Sequence, residues 1–248
     1  MNPSSVCLLF VRTTIFFCFC FTDLNAQLNA SSKQLMIVTA ENWNTSKGHL
    51  WAFDKHDSAW IEVFNFPIVI GRSGFGFDSA CSFKIDGGVP LKHEGDGRSP
   101  AGFFQLGPAF GYAKMKDVSW MNLAYLQSNS NVFCVDDEKS THYNRIVKSD
   151  TTSKDWRSAE DMRRSDDYYK WGIVVNYNYP QTVPARGSCI FMHIWENDST
   201  GTVGCTAMSE KNILRLLHWL DQKKSPMLIQ FPIFEYKIVS RQFNLPAL

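Results

Sequence analysis

SCIFMHIWENDSTGTVGCTAMSEKNILRLLHWL, residues 188–220, falls into three pieces whose order sets the fold class. From Ser188 to Trp195 the period is two: Cys189, Phe191, His193 and Trp195 share one face and Ile190, Met192 and Ile194 the other, which predicts a strand. Glu196 to Met208 is rich in Ser, Thr, Gly and Asn and predicts a loop. After Ser209 the period changes. Ile213, Leu216, Leu217 and Leu220 recur at i, i+3, i+4 and i+7, the apolar stripe of one amphipathic helix, with Ser209 placed as its N-cap.

Outward from this stretch, strands dominate. Gln34 to Ala40, Gly48 to Asp54, Trp60 to Phe64, Phe66 to Gly71 and Gly172 to Tyr177 read as strands, and another begins within Glu94 to Phe104 after a polar turn. Two more are expected at Met227 to Phe231 and Phe234 to Val239. The middle, about 113–172, is polar and mixed and reads as an inserted, lid-like region with a helix over Ser158 to Arg164 running into Tyr168 and Tyr169. The chain is therefore expected to be mainly β with a few helices, of the α+β class.

The 248 residues are 44% hydrophobic, enough for one sizeable core, and carry 25 basic against 24 acidic side chains. That balance argues against nucleic acid or an anionic membrane surface as partner, since both need a cationic excess. The glycines match no phosphate loop.

The N-terminal apolar run from Val6 to Thr22 contains Arg12, and its uncharged part, Thr13 to Thr22, is too short for the roughly 20 residues that span a bilayer. It fits a signal peptide cut after Ala26, leaving 27–248 as a single exported domain with no membrane span and expected to be a monomer. Cys7, Cys18 and Cys20 would leave with it. Cys81, Cys134, Cys189 and Cys205 remain, a number that invites two disulfides.

Cys205 competes with that pairing. It is expected just ahead of the helix at Ser209, where unpaired N–H groups and the helix dipole stabilise a thiolate, and a nearby imidazolium, that of His193 at the end of its strand, would stabilise the anion further. Gly204 lets the backbone turn closely there, so local N–H groups around Val203 and Gly204 are the expected oxyanion donors. If Cys205 is free, the other three thiols allow one bridge, with the pair left open.

The remaining candidates carry blander readings. His93, Glu94 and Asp96 lack a metal-ligand spacing, Asp136–Asp137 and Asp166–Asp167 read as solvated charges, and Ser188, Ser199 and Ser209 lack a serine-hydrolase context. No metal and no cofactor are expected. Trp120, Tyr125, Tyr143, Trp156, Tyr168, Tyr169 and Trp171 read first as packing residues and second as the lining of a groove. His218 falls off the apolar stripe, as a surface residue.

His193 followed by Thr202-Val203-Gly204-Cys205 resembles the motif of the L,D-transpeptidase (YkuD-like) catalytic-domain family, a histidine and then [ST]-x-G-C. The stretch Ser99-Pro100-Ala101-Gly102-Phe103-Phe104 is similar to the family's [ST]-P-x-G-x-F hairpin, and the likeness spans about 90–220. It is nearest to the branch with His-Ile-Trp and Gly-Cys-Thr, and it differs at Ala207, where arginine is usual. The resemblance implies a β-sandwich and a periplasmic or wall-side location. It also implies an acyl transfer in which Cys205 attacks the amide before the terminal D-alanine of a peptidoglycan tetrapeptide stem, with His193 as base and acid. An amine acceptor yields a 3-3 cross-link and water makes the protein an L,D-carboxypeptidase; a catalytically inactive wall-binding protein is the reading from a different class.

Overall fold

Seven consecutive residues, Gln34–Ala40, are buried without a break and form the central strand β1. Such a strand needs cover on both faces, and Leu35, Met36, Ile37 and Val38 accordingly read as one apolar run. The chain then turns back through β2 (Lys47–His56) and β3 (Ala59–Val69), both antiparallel neighbours. The two runs expected at 60–64 and 66–71 are this one strand. The computed structural model describes residues 32–81, 83–85 and 87–248, so the expected signal peptide lies outside the described residues.

Next come β4 (Phe75–Phe77) and β5 (Ser99–Gly111), the longest strand. The segment expected as an insertion holds β6 (Tyr125–Gln127), β7 (Val132–Val135), β8 (Ile146–Lys148) and β9 (Ala159–Asp161). The chain continues through β10 (Trp171–Val175), β11 (Phe191–Ile194), β12 (Thr206–Met208) and helix α1 (Glu210–Trp219), and ends with β13 (Met227–Pro232) and helix α2 (Ile233–Phe243).

The main sheet runs β10-β11-β12-β3-β2-β1-β13-β5-β4. Because β5 pairs with β13 through Gly102 to Gln105 and with β10 through Leu106 to Gly111, the path closes on itself. The two layers expected of a sandwich are thus opposite walls of one closed sheet, which removes exposed edges along that path. A second sheet, β8-β7-β9, stands beside it. Helix α1 packs on β10 and β11, and α2 on β13 and β1. Ile213, Leu216, Leu217 and Leu220 are fully buried, each contributing about 1.5–3 kcal/mol, and the Ser209 hydroxyl accepts the Asn212 N–H as N-cap. His218, exposed on this helix, stacks on Trp120 with ring centroids 3.9 Å apart.

Three expectations are corrected. Residues 158–164 are not helical: Ala159–Asp161 is a strand whose Glu160 lies opposite Cys134 of β7, and Met162 beyond it is fully buried. Pairing with β7 outweighs the helix propensity of Ala, Glu, Met and Arg, which is worth only tenths of a kcal/mol per residue. Residues 234–239 are helical rather than extended. Tyr236, Val239 and Phe243 bury at i, i+3 and i+7, while Phe234 and Ile238 face outward. Finally, the strand expected over 188–195 is shortened to Phe191–Ile194, because Cys189 takes a left-handed φ of 53° that breaks the alternation before it starts.

Candidate active site

Strands β11 and β12 run parallel, with Met192 opposite Thr206, His193 opposite Ala207 and Ile194 opposite Met208. Cys205 is the residue just before β12, level with the start of β11. Its Sγ receives the Phe191 N–H at 3.3 Å and approaches the Cys189 carbonyl at 3.6 Å. The register therefore sets Cys205 and His193 on neighbouring strands of one wall, and both line a cavity of about 340 Å³. Three residues of strand separate Cys205 from α1, so the helix N-terminus expected beside the thiol is not there.

The loop between the two strands is fastened rather than loose. Asn197 Oδ1 accepts the N–H groups of Ser199 and Thr200, and Thr202 exchanges backbone hydrogen bonds with Ile70 and Arg72 just beyond β3. Gly201 lies so close to this segment that a Cβ would come within 2.6 Å of the Arg72 Cα. Thr202 Oγ1 accepts the Gly204 N–H at 3.1 Å and donates to the Cys205 carbonyl at 2.6 Å. The fully buried Ser99 hydroxyl accepts the Gly71 N–H at 2.9 Å and faces the carbonyls of Gly204 and Cys205 at 2.7 and 3.0 Å. The Ser-Pro-x-Gly-x-Phe segment, which forms the start of β5 rather than a hairpin, thus clamps the backbone on either side of the thiol. Deeper in, Thr206 Oγ1 donates to Gln230 Oε1, and Gln230 Nε2 donates to the Pro100 carbonyl.

Burial dominates the electrostatics. It pushes the Cys205 thiol well above its ordinary value, with the Glu160 charge adding to the effect. It pushes His193 down to about 4, against the hydrogen bond from Nδ1 to the Ile194 carbonyl at 2.7 Å. With Nδ1 so engaged, Nε2 is the nitrogen left to take a proton. The resting pair is a neutral thiol and a neutral imidazole.

Of the other residues singled out by sequence, Val203 and Gly204 line the same cavity, Val203 being 67% exposed at its rim. Ala207 is fully buried inside β12. Cys134 and Cys189 form a disulfide with Cα atoms 6.0 Å apart, and Cys81 and Cys205 are free and buried. Asp96 accepts from Lys92 Nζ and the His93 N–H, and Glu94 accepts from Ser188, so both carboxylates are tied to protein donors. Asp166 pairs with Arg164. Among the middle aromatics, Tyr168 and Tyr169 line the cavity while Tyr143 and Trp156 pack inside.

Sequence reasoning missed Glu160 and the part played by Tyr169. Burial pushes the Glu160 carboxyl up to about 7, although it accepts the Tyr169 hydroxyl at 2.5 Å. The Tyr169 ring in turn meets His193 edge-on with centroids 5.2 Å apart. A strand assignment for Ala159–Asp161 would have been the signal, and nothing in the local pattern supplies it.

Residues 42–229 match the family model of the YkuD L,D-transpeptidase catalytic domain. No curated protein matches the chain in sequence. Among solved structures, one described as the structure of Bdellovibrio bacteriovorus Bd1075 is similar at 13% identity and a TM-score of 0.38. The likeness covers 82% of this chain and 49% of that one, so this chain spans about half the length of that relative.

Proposed function

Because the chain belongs to the L,D-transpeptidase catalytic-domain family, whose members are acyltransferases acting on peptidoglycan, we propose that it is an exported cysteine acyltransferase. On this reading it joins stem peptides by L,D (3-3) cross-links. Cys205 is the nucleophile and His193 the acid and base. One observation carries the proposal: the register of two parallel strands brings a free thiol and an imidazole with an available Nε2 to the same cavity.

His193 Nε2 takes the thiol proton as Cys205 Sγ bonds to the carbonyl carbon of the diamino residue, typically diaminopimelate, that precedes the terminal D-alanine. The C–N bond breaks, the proton passes to the departing D-alanine amine, and a thioester remains. An amine of a second stem, relieved of its proton by His193, then attacks; the new amide forms, the C–S bond breaks and the thiol is restored. The oxyanion of each step is held by backbone N–H groups of the 203–205 turn. There the Gly204 N–H is already engaged by Thr202 Oγ1, which favours those of Val203 and Cys205. The steps use no cofactor. Export suits the substrate, which lies outside the cytoplasm, and among the described residues no helix is long and apolar enough to cross a membrane.

Incubating the purified protein with disaccharide-tetrapeptide and reading products by mass spectrometry tests the proposal. Loss of D-alanine with dimer formation is expected. Loss without dimers makes water the acceptor and the protein an L,D-carboxypeptidase. No product, or an unchanged rate in Cys205→Ala, refutes acyl transfer and leaves a wall-binding protein.

A further inference from the structure

Glu94, Glu160 and Glu196 line the cavity around Cys205; none takes part in an ion pair among the described residues, and two of them, Glu94 and Glu160, accept hydrogen bonds from side chains packed beside the cavity. Their hydrogen-bond donors are neutral. Glu94 accepts from the hydroxyls of Tyr143 and Ser188, and Glu160 accepts from the hydroxyl of Tyr169. The two cations on the same wall are held by other acids: Lys92 Nζ donates to Asp96 at 2.7 Å, and Arg164 Nε reaches both oxygens of Asp166 at 2.9 and 3.1 Å. A carboxylate drawn out of water and offered only neutral donors keeps an unmatched charge. The rise of the Glu160 carboxyl to about 7, caused first by burial, is the same imbalance seen in its protonation.

The position of Glu160 turns this imbalance toward the reaction. It lies opposite Cys134 in the β7–β9 pair, and the disulfide from Cys134 leads to Cys189, whose carbonyl faces Cys205 Sγ. Tyr169 connects Glu160 with the edge of the His193 ring. A group on the acyl donor that reaches Glu160 therefore lies within the cavity where the thiol attacks.

We infer that Glu160 is a specificity-determining residue that receives an ammonium group borne by the side chain of the acyl donor, with Glu94 adding attraction at longer range. The inference rests on the stem-peptide reading above, and it names the feature selected: a donor residue with a free side-chain amine beside the scissile amide. A neutral side chain leaves the carboxylate unmatched and binds less well.

The test separates binding from chemistry by using the full chain with Cys205→Ala, which cannot form a thioester. Calorimetric titration compares a tetrapeptide bearing a free side-chain amine with the same peptide acetylated at that amine. With Glu160 present, acetylation is expected to weaken binding at least about tenfold, the range for losing one partner of a desolvated charge pair. In Cys205→Ala with Glu160→Gln the ratio falls to about one, and Glu160→Asp restores part of it. Each ratio is taken within one protein, so a general loss of folding does not produce it. Equal affinity for the two peptides, a ratio that survives Glu160→Gln, or failure of both peptides to bind overturns the inference. Discrimination in binding without turnover by the wild type refutes acyl transfer alone.

Discussion

Exchanging Glu160 for glutamine is expected to stabilise the protein at high pH and not at low pH. The ordinary value of the carboxyl is 4.5 and burial raises it to about 7 in the fold. A group with a raised folded pKa contributes stability that is fully present below the unfolded value and is lost as pH rises through the folded one. Here that window runs from 4.5 to about 7. At about 1.4 kcal/mol per unit the shift corresponds to roughly 3 kcal/mol, and residual solvent contact of this partly buried side chain reduces it to about 1–2 kcal/mol. At pH 4 and below, the carboxyl is largely protonated in both the folded and the unfolded wild type, a neutral form that glutamine imitates in shape and charge, so the two proteins should unfold within about 0.5 kcal/mol of each other. At pH 8 the wild type carries the buried carboxylate and glutamine should be the more stable by about 1–2 kcal/mol. His193, pushed down to about 4, acts in the opposite direction, since its stability is present above 6.5 and lost as pH falls toward 4. It is common to both proteins and cancels in the difference. Urea unfolding with the disulfide intact, at pH 4 and pH 8, measures it. A difference that does not change with pH, or a wild type that gains on the variant at pH 8, refutes the claim that Glu160 is held by burial without a compensating cation.

Alkylation of Cys205 by iodoacetamide should be slow at pH 7 and rise steadily toward pH 10, because burial disfavours the thiolate; a rate that has levelled off below pH 8 contradicts this. Ser99→Ala removes the hydroxyl joining Gly71 to the Gly204–Cys205 backbone and should cost about 1–3 kcal/mol in urea unfolding, with at least a tenfold loss of turnover. Unchanged stability and rate would show that the clamp is immaterial. Replacing Cys134 and Cys189 together by serine opens a link across a sequence separation of 55, and loss of the bridge should cost about 2–5 kcal/mol by thermal unfolding. A melting temperature within a degree of the wild type rules that out.

What sequence revealed of this molecule tracks how local each interaction is. The α1 stripe and the Ser209 cap were legible because period and cap lie within a dozen residues. Strand β1 was legible because a strand buried on both faces needs an unbroken apolar run. The closure of the sheet was hidden, since it depends on β5 meeting β10 some 60 residues later, a pairing that leaves no mark on either segment. Helix α2 reads as a strand because Phe234, Tyr236 and Ile238 alternate with Glu235 and Lys237, and only the burial of Tyr236, Val239 and Phe243 shows the helical period. Within the candidate site, Cys205 and His193 belong to one sequence motif and line one cavity. Glu160 was lost with the misread strand, because its meaning comes from the Cys134–Cys189 bridge and Tyr169 rather than from its neighbours in sequence. The bridge itself stayed open among three thiols until their Cα distances were known.

On the proposed mechanism, Cys205 attacks from a protonated resting state. The sequence predicts a thiolate held by a helix N-terminus, but strand β12 intervenes and the thiol is protonated at rest. Moving its proton to His193 means passing from an acid above its ordinary 9.0 to a base near 4, a gap of at least about five units or roughly 7 kcal/mol. A turnover of about ten per second permits a total barrier of about 16 kcal/mol, so the transfer takes at least roughly 7 kcal/mol of it and leaves at most roughly 9 kcal/mol for attack on the amide. A neutral resting pair therefore requires proton transfer and attack to be coupled. The gap also narrows once the donor is bound. Glu160 is the second contributor to the elevation of the thiol, and an ammonium placed against it removes that contribution. On the inference above, the carboxylate that selects the donor also adds, after burial, to keeping the thiol protonated while no amine is bound, so one side chain contributes to both specificity and activation.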